Sequence, residues 1–164
     1  MRSCWFGGGL VVGALICAVL GGVFMAFSDV VMRSLAKASR GAEAMQIINR
    51  EVFTSVFGVL LWTMLAIALT CMAYACLNWQ ERTVAPVLVG GMFYVVGVGV
   101  VSGMFNVPMN HVLEGLDWRQ PETAAYFQNT FVPDWKLWNH VRTLSCMVTS
   151  FCFLYAAFVV QGEG

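Results

Sequence analysis

Four long apolar runs, each without a charged residue, dominate this chain and leave it few folds to choose from. They extend from Ser3 to Ser28, Val52 to Gln80, Thr83 to Leu113 and Thr143 to Gly162. About 20 apolar residues suffice for a helix to cross the hydrocarbon core of a bilayer. Lipid offers the backbone no hydrogen-bond partners, so such runs are expected to be helical. The sequence therefore predicts an all-α integral membrane four-helix bundle. Its spans fall near 5–28, 54–77, 84–105 and 141–160, and a long, partly helical loop joins the third to the fourth. With 164 residues there is room for one domain, 1–164. Charged residues are only 11% of the chain, against roughly 25% in soluble domains. The formal net charge is zero, so no nucleic-acid partner is implied. The first run exceeds the apolar part of a signal peptide and has no clear small-x-small exit, so it is read as a span.

Lys and Arg set the orientation. Arg33, Lys37, Arg40 and Arg50 lie between spans one and two, and Arg119, Lys136 and Arg142 between spans three and four. The opposite side has Arg2 and Arg82, the latter closing a tight polar turn from Asn78. A multi-pass protein with both longer loops in the cytoplasm is expected.

The unusual polar residues gather at the membrane face that carries those two loops. On a helix turning about 100° per residue, Trp135, Asn139 and Arg142 share one side, continued by Cys146, Thr149 and Ser150. That stripe reads as the wall of a polar pocket. His140, roughly 160° from Arg142, points elsewhere. Asp29 ends span one, where an acid tends to face the bundle interior; its alternative is an ion pair with Arg33 at i+4. Gln46, Asn49 and Phe53 share a face, with Arg50 and Glu51 turned away from it. Pro108 is expected to break helix three and push Val107 into an extended conformation. Asn106 and Asn110 could then satisfy the freed backbone groups, or bond a ligand from both sides of the break.

Pro121 and Glu122 suit a first helical turn, so a short interfacial helix near 121–130 is expected to cap the bundle. Trp118, Trp135 and Trp138 fit an interfacial aromatic belt. Gly9/Gly13 and Gly99/Gly103 read as helix-packing positions. The six cysteines form no C-x-x-C pair and read as small apolar packing residues. His111 has no partner at ligand spacing, and no metal site or other cofactor is assigned.

Taken together, these residues resemble the anthrone oxygenase-like family of small four-helix membrane proteins. The matching elements are Phe27-Ser28-Asp29-Val30, Gln46-Ile47-Ile48-Asn49-Arg50, Phe105-Asn106-Val107-Pro108-Met109-Asn110 and Trp135-x-x-Trp138-Asn139-His140-Val141-Arg142-Thr143. The Asn-x-Pro-x-Asn and Trp-Asn-x-x-Arg elements are its most specific parts. The resemblance implies an oxygenase that converts an anthrone to an anthraquinone with molecular oxygen and no recognised cofactor. On that reading Arg142 stabilises an enolate, Asp29 is the base, and Asn139 completes the catalytic set. Asn106, Asn110, Trp135, Trp138, Asn49 and Gln46 then contact a flat aromatic. The competing class is a non-enzymatic protein that binds a lipid, quinone or small metabolite, or an assembly subunit; a homo-oligomer stays open. An aromatic-lined cavity beside Arg142 favours the first class, a collapsed Arg142–Asp29 pair the second. Four helices without an internal repeat leave little room for a transporter.

Overall fold

The computed structural model describes residues 2–78 and 82–162, and these are helical almost throughout. Four helices are long and apolar enough to cross a membrane: α1 (2–35), α3 (Val56–Leu77), α4 (Val84–Glu114) and α5 (Pro121–Gly162). The chain is a membrane-spanning all-α bundle. A shorter helix, α2 (Gly41–Glu51), lies between the first two spans. The centre of the turn from Asn78 to Arg82, residues 79–81, lies outside the described residues.

Helices α1, α4 and α5 outrun the bilayer. α4 has 31 residues and α5 has 42, about 46 and 63 Å at 1.5 Å per residue, against a core of about 30 Å. The excess projects at one end, where α2 lies across it. A second apolar core forms there from Met32, Met45, Leu113, Phe127, Phe131 and Trp135. The main core, between the spans, contains Phe6, Leu10, Leu20, Met64, Tyr94 and Phe153.

The third span, α4, does not break at Pro108. Val107 is helical, with φ −66° and ψ −45°, not extended. A proline ring ordinarily collides with the carbonyl four residues earlier. Here that carbonyl belongs to Met104, inside a π-turn at Ser102–Asn106, and Val107 N–H bonds the carbonyl of Ser102 across the widened turn. Pro133 stands in the same relation to a π-turn at Phe127–Phe131. The expected interfacial helix near 121–130 is therefore no separate cap: it runs unbroken into α5, and the connection from α4 shrinks to 115–120. The element lying across the end of the bundle is α2.

Lipid tails are as apolar as leucine, so helix association depends on close packing and interhelical hydrogen bonds. α1 and α5 share the largest interface. Thr149 Oγ1 donates to the Gly90 carbonyl at 2.8 Å and Ser150 Oγ to the Ala14 carbonyl at 3.0 Å. The membrane half of the α5 stripe thus ties helices together. Cys17, Cys71 and Cys146 pack in the interior as expected, whereas Cys76 is exposed. The glycine expectation holds at Gly13, where an added Cβ would lie 3.0 Å from Phe153 and Ile67, and fails at Gly9 and Gly103, where it would meet nothing within 4 Å. Gly90 is a true close approach, with the Cys152 Cβ 2.8 Å from such an atom. Gly90→Val should lower unfolding stability in detergent by about 1–3 kcal/mol, while Gly103→Ala should change it by less than about 0.5 kcal/mol.

Candidate functional site

One face of the first turns of α5 builds the site. Asn139 is fully buried. Its Nδ2 donates to the Phe24 carbonyl at 2.5 Å and to Ser28 Oγ at 2.6 Å, both on α1. Its Oδ1 accepts from Arg142 Nη2 at 2.5 Å. Arg142 Nη1 donates to Ser102 Oγ on α4 at 3.2 Å. The guanidinium lies 4.4 Å from the centre of the Phe24 ring and 5.2 Å from that of Trp135, so two aromatic faces support its charge. Arg142 is 7% exposed. Among the described residues no carboxylate lies within ion-pair distance of it.

Because α4 continues through Pro108, Asn106 and Asn110 stand at i and i+4 on one face rather than on two sides of a break. Both hold Trp135: Asn106 Nδ2 donates to its backbone carbonyl at 3.2 Å, and Asn110 Oδ1 accepts from its indole Nε1 at 3.0 Å. The Asn-x-Pro-x-Asn element therefore positions the Trp-Asn-x-x-Arg element.

A cavity of about 500 Å³ opens beside this cluster, within the range of small-molecule sites. Phe24 and Phe27 of α1, Asn49 and Glu51 of α2, Trp62 of α3, Tyr94 and Ser102 of α4, and Trp135 and Arg142 of α5 are in its wall. Among the described residues, three buried side-chain atoms have no hydrogen-bond partner: Asn49 Nδ2, Asn106 Oδ1 and Arg142 Nε. All three residues line this one cavity. Buried polar atoms are ordinarily paired, so three orphans around one space leave two donors and one acceptor able to bond a group placed there, in a mostly apolar chamber.

The sequence profile of the anthrone oxygenase family matches residues 50–152, more than half of the chain. The chain belongs to the anthrone oxygenase family. No curated protein and no solved structure matches it significantly. The family match takes in both the Asn-x-Pro-x-Asn and the Trp-Asn-x-x-Arg elements, while the elements at 27–30 and 46–49 precede it.

In this family member the residues singled out from sequence divide into three groups. Arg142, Trp135, Asn106, Asn110 and Asn49 line the cavity. Asn139 and Gln46 lie behind it and are spent on protein partners. Gln46 Nε2 donates to the carbonyls of Leu113 and Leu116, both at 2.8 Å, tying α2 to the end of α4. Asp29 and Trp138 lie elsewhere. Asp29 is exposed and pairs with Arg33 at 2.8 Å, the alternative left open by sequence, so no Arg142–Asp29 pair forms. Trp138 stacks on Phe105 with ring centres 3.6 Å apart. His140 is exposed, turned from the cluster as expected.

Sequence reasoning missed Ser102, Phe24, Tyr94 and Glu51. Glu51 is the last residue of α2; helical phase turned it from the Asn49 face, yet both residues line the one cavity. Asn139→Leu should cost about 3 kcal/mol, because it strips Arg142, Ser28 and the Phe24 carbonyl of their shared partner; chemical unfolding of the detergent-solubilised protein measures it.

Proposed function

We propose that the cavity binds a flat, lipid-soluble aromatic of the anthrone or phenol type, holds it as its oxyanion against Arg142 and brings it to reaction with molecular oxygen. The observation that carries this reading is a buried arginine with no carboxylate partner and a free Nε, lining an apolar cavity. A buried cation in a membrane protein is costly unless paired. Neutral Asn139 and Ser102 and two aromatic rings hold the guanidinium but supply no counter-charge, so an anionic oxygen is the complement it lacks. Family membership supports the same choice of substrate.

The chemistry then needs little from the protein beyond electrostatics and position. An anthrone loses its activated C–H proton and becomes an enolate, whose negative oxygen sits beside Arg142 where a fixed cation is most effective. The Trp135 ring, held from both ends by Asn106 and Asn110, offers a face for stacking. Asn49 Nδ2 can donate to a second ring oxygen, and Asn106 Oδ1 can accept from a ring hydroxyl. Glu51, the carboxylate in the cavity wall, takes the proton and passes it to water. The enolate carbon transfers electrons to oxygen and forms a C–O bond; protonation gives a hydroperoxide, and loss of water leaves the carbonyl. One anthrone and one oxygen molecule thus yield one anthraquinone and one water. The basic residues Arg33, Lys37, Arg40 and Arg50 support a cytoplasmic location for this end of the bundle.

Two variants separate binding from proton transfer. With anthrone in detergent micelles, an oxygen electrode should record one oxygen consumed per anthrone. Arg142→Gln should weaken binding and lower kcat/KM at least tenfold, about 1.4 kcal/mol. Glu51→Gln should lower kcat while leaving affinity for a hydroxyanthraquinone product analogue within about twofold. Uptake no faster than the protein-free rate would reject the oxygenase reading; unchanged affinity in Arg142→Gln would reject the oxyanion site.

A further inference from the structure

The route into the cavity bears on which molecules can occupy it. Four residues of its wall are exposed: Glu51, Trp62, Gly99 and Gly103. Glu51 stands at the polar end, outside the α3 span. The other three lie within the apolar spans α3 and α4, and surface exposed on such a span is expected to meet acyl chains. Trp62 is 68% exposed although it also faces the cavity. On α4, in the same cavity wall, an added Cβ at Gly103 would meet nothing within 4 Å, and one at Gly99 would meet only the Tyr94 carbonyl oxygen, at 4.0 Å. These glycines, expected to pack helices, leave a gap. α3 is also the least enclosed span: 22% of its apolar stretch is buried, against 39% for the other three.

We infer that the cavity fills sideways from the bilayer, through this gap between α3 and α4, and that its occupant enters neutral and ionises in place. The inference rests on the binding reading above and adds route and substrate class. Glu51, the exposed wall residue at the polar end, presents a carboxylate to water. Arg33, Arg40 and Arg50 at that end are each paired with a carboxylate, so an anion approaching there meets the Glu51 charge before it reaches Arg142. A neutral fused-ring molecule meets no such barrier on the lipid side and is already concentrated there by its apolar surface. Once inside, it gives its proton towards Glu51 and its oxyanion rests against Arg142. The substrate class is therefore an uncharged, lipid-dissolved polycyclic with one weakly acidic C–H or O–H. Sulfonated or otherwise permanently charged relatives are excluded by the route, even where their rings fit.

The test uses the full chain in phosphatidylcholine vesicles, with quenching of tryptophan fluorescence by 1-hydroxyanthraquinone as the readout and anthraquinone-2-sulfonate as the charged comparison. The association rate should follow the mole fraction of hydroxyanthraquinone in the lipid, falling when empty vesicles are added at fixed total probe. Gly103→Leu, whose side chain has open space to occupy, should slow association and dissociation together by about tenfold with little change in Kd. Trp62→Ala should speed both. Arg142→Gln should instead raise Kd through dissociation, leaving the association rate within about twofold. A rate that follows aqueous probe concentration, a sulfonate that binds as fast as the neutral probe, or Gly103→Leu and Trp62→Ala kinetics equal to wild type would overturn lateral access while leaving the binding site intact. Absence of quenching by either probe in wild type would remove the binding reading itself, and lateral access with it.

Discussion

The guanidinium of Arg142, held inside the bundle without a carboxylate, is the constraint around which the polar end is arranged. Arginine remains protonated in proteins, and its charge cannot simply be left in an apolar interior. The fold meets this with two neutral acceptors, Asn139 Oδ1 and Ser102 Oγ, and two aromatic rings, Phe24 and Trp135. Those contacts come from three different helices. Keeping the cation in place therefore fixes α1, α4 and α5 relative to one another at this end.

The supporting groups are themselves supported. Asn139 reaches back to α1 through the Phe24 carbonyl and Ser28. Trp135 is gripped by Asn106 and Asn110. Gln46 fastens α2 to the end of α4, so that α2 lies across the cavity. Three π-turns border the same space: Phe27–Val31 on α1, and Val95–Val100 and Ser102–Asn106 on α4. Such turns often occur at functional sites. Here they widen the helices where side chains must converge on a cavity instead of packing it shut.

The spans were readable because apolar length is a composition property that survives any detail of packing. Trp135, Asn139 and Arg142 were readable as one face because helical phase carries over a regular stretch such as α5. Phase failed wherever the backbone departed from the α-helix. Asn106 and Asn110 looked like the two sides of a break because a proline usually ends a helix, and nothing in the residues themselves announces that a π-turn will absorb its ring. Glu51 was missed although it ends a regular helix, because phase does not say how far a cavity reaches around the last turn. Asp29 was ambiguous for a different reason: an acid at a helix end with Arg33 at i+4 has a local partner available, and the local partner was the one taken. Gly99 and Gly103 have the spacing of a packing motif, yet spacing does not say whether a neighbouring helix approaches.

The central claim is that Arg142 stabilises an oxyanion, and the ionisation state of a bound phenol reports on it most directly. Neutral and ionised 1-hydroxyanthraquinone differ in visible absorption. Spectra should be taken in micelles at a pH about two units below the ionisation of the micelle-dissolved dye, with protein in excess. The expected result is the phenolate spectrum for dye bound to the wild-type chain and the neutral spectrum for dye bound to Arg142→Gln. A neutral spectrum in both, with binding otherwise intact, would contradict the role given to Arg142.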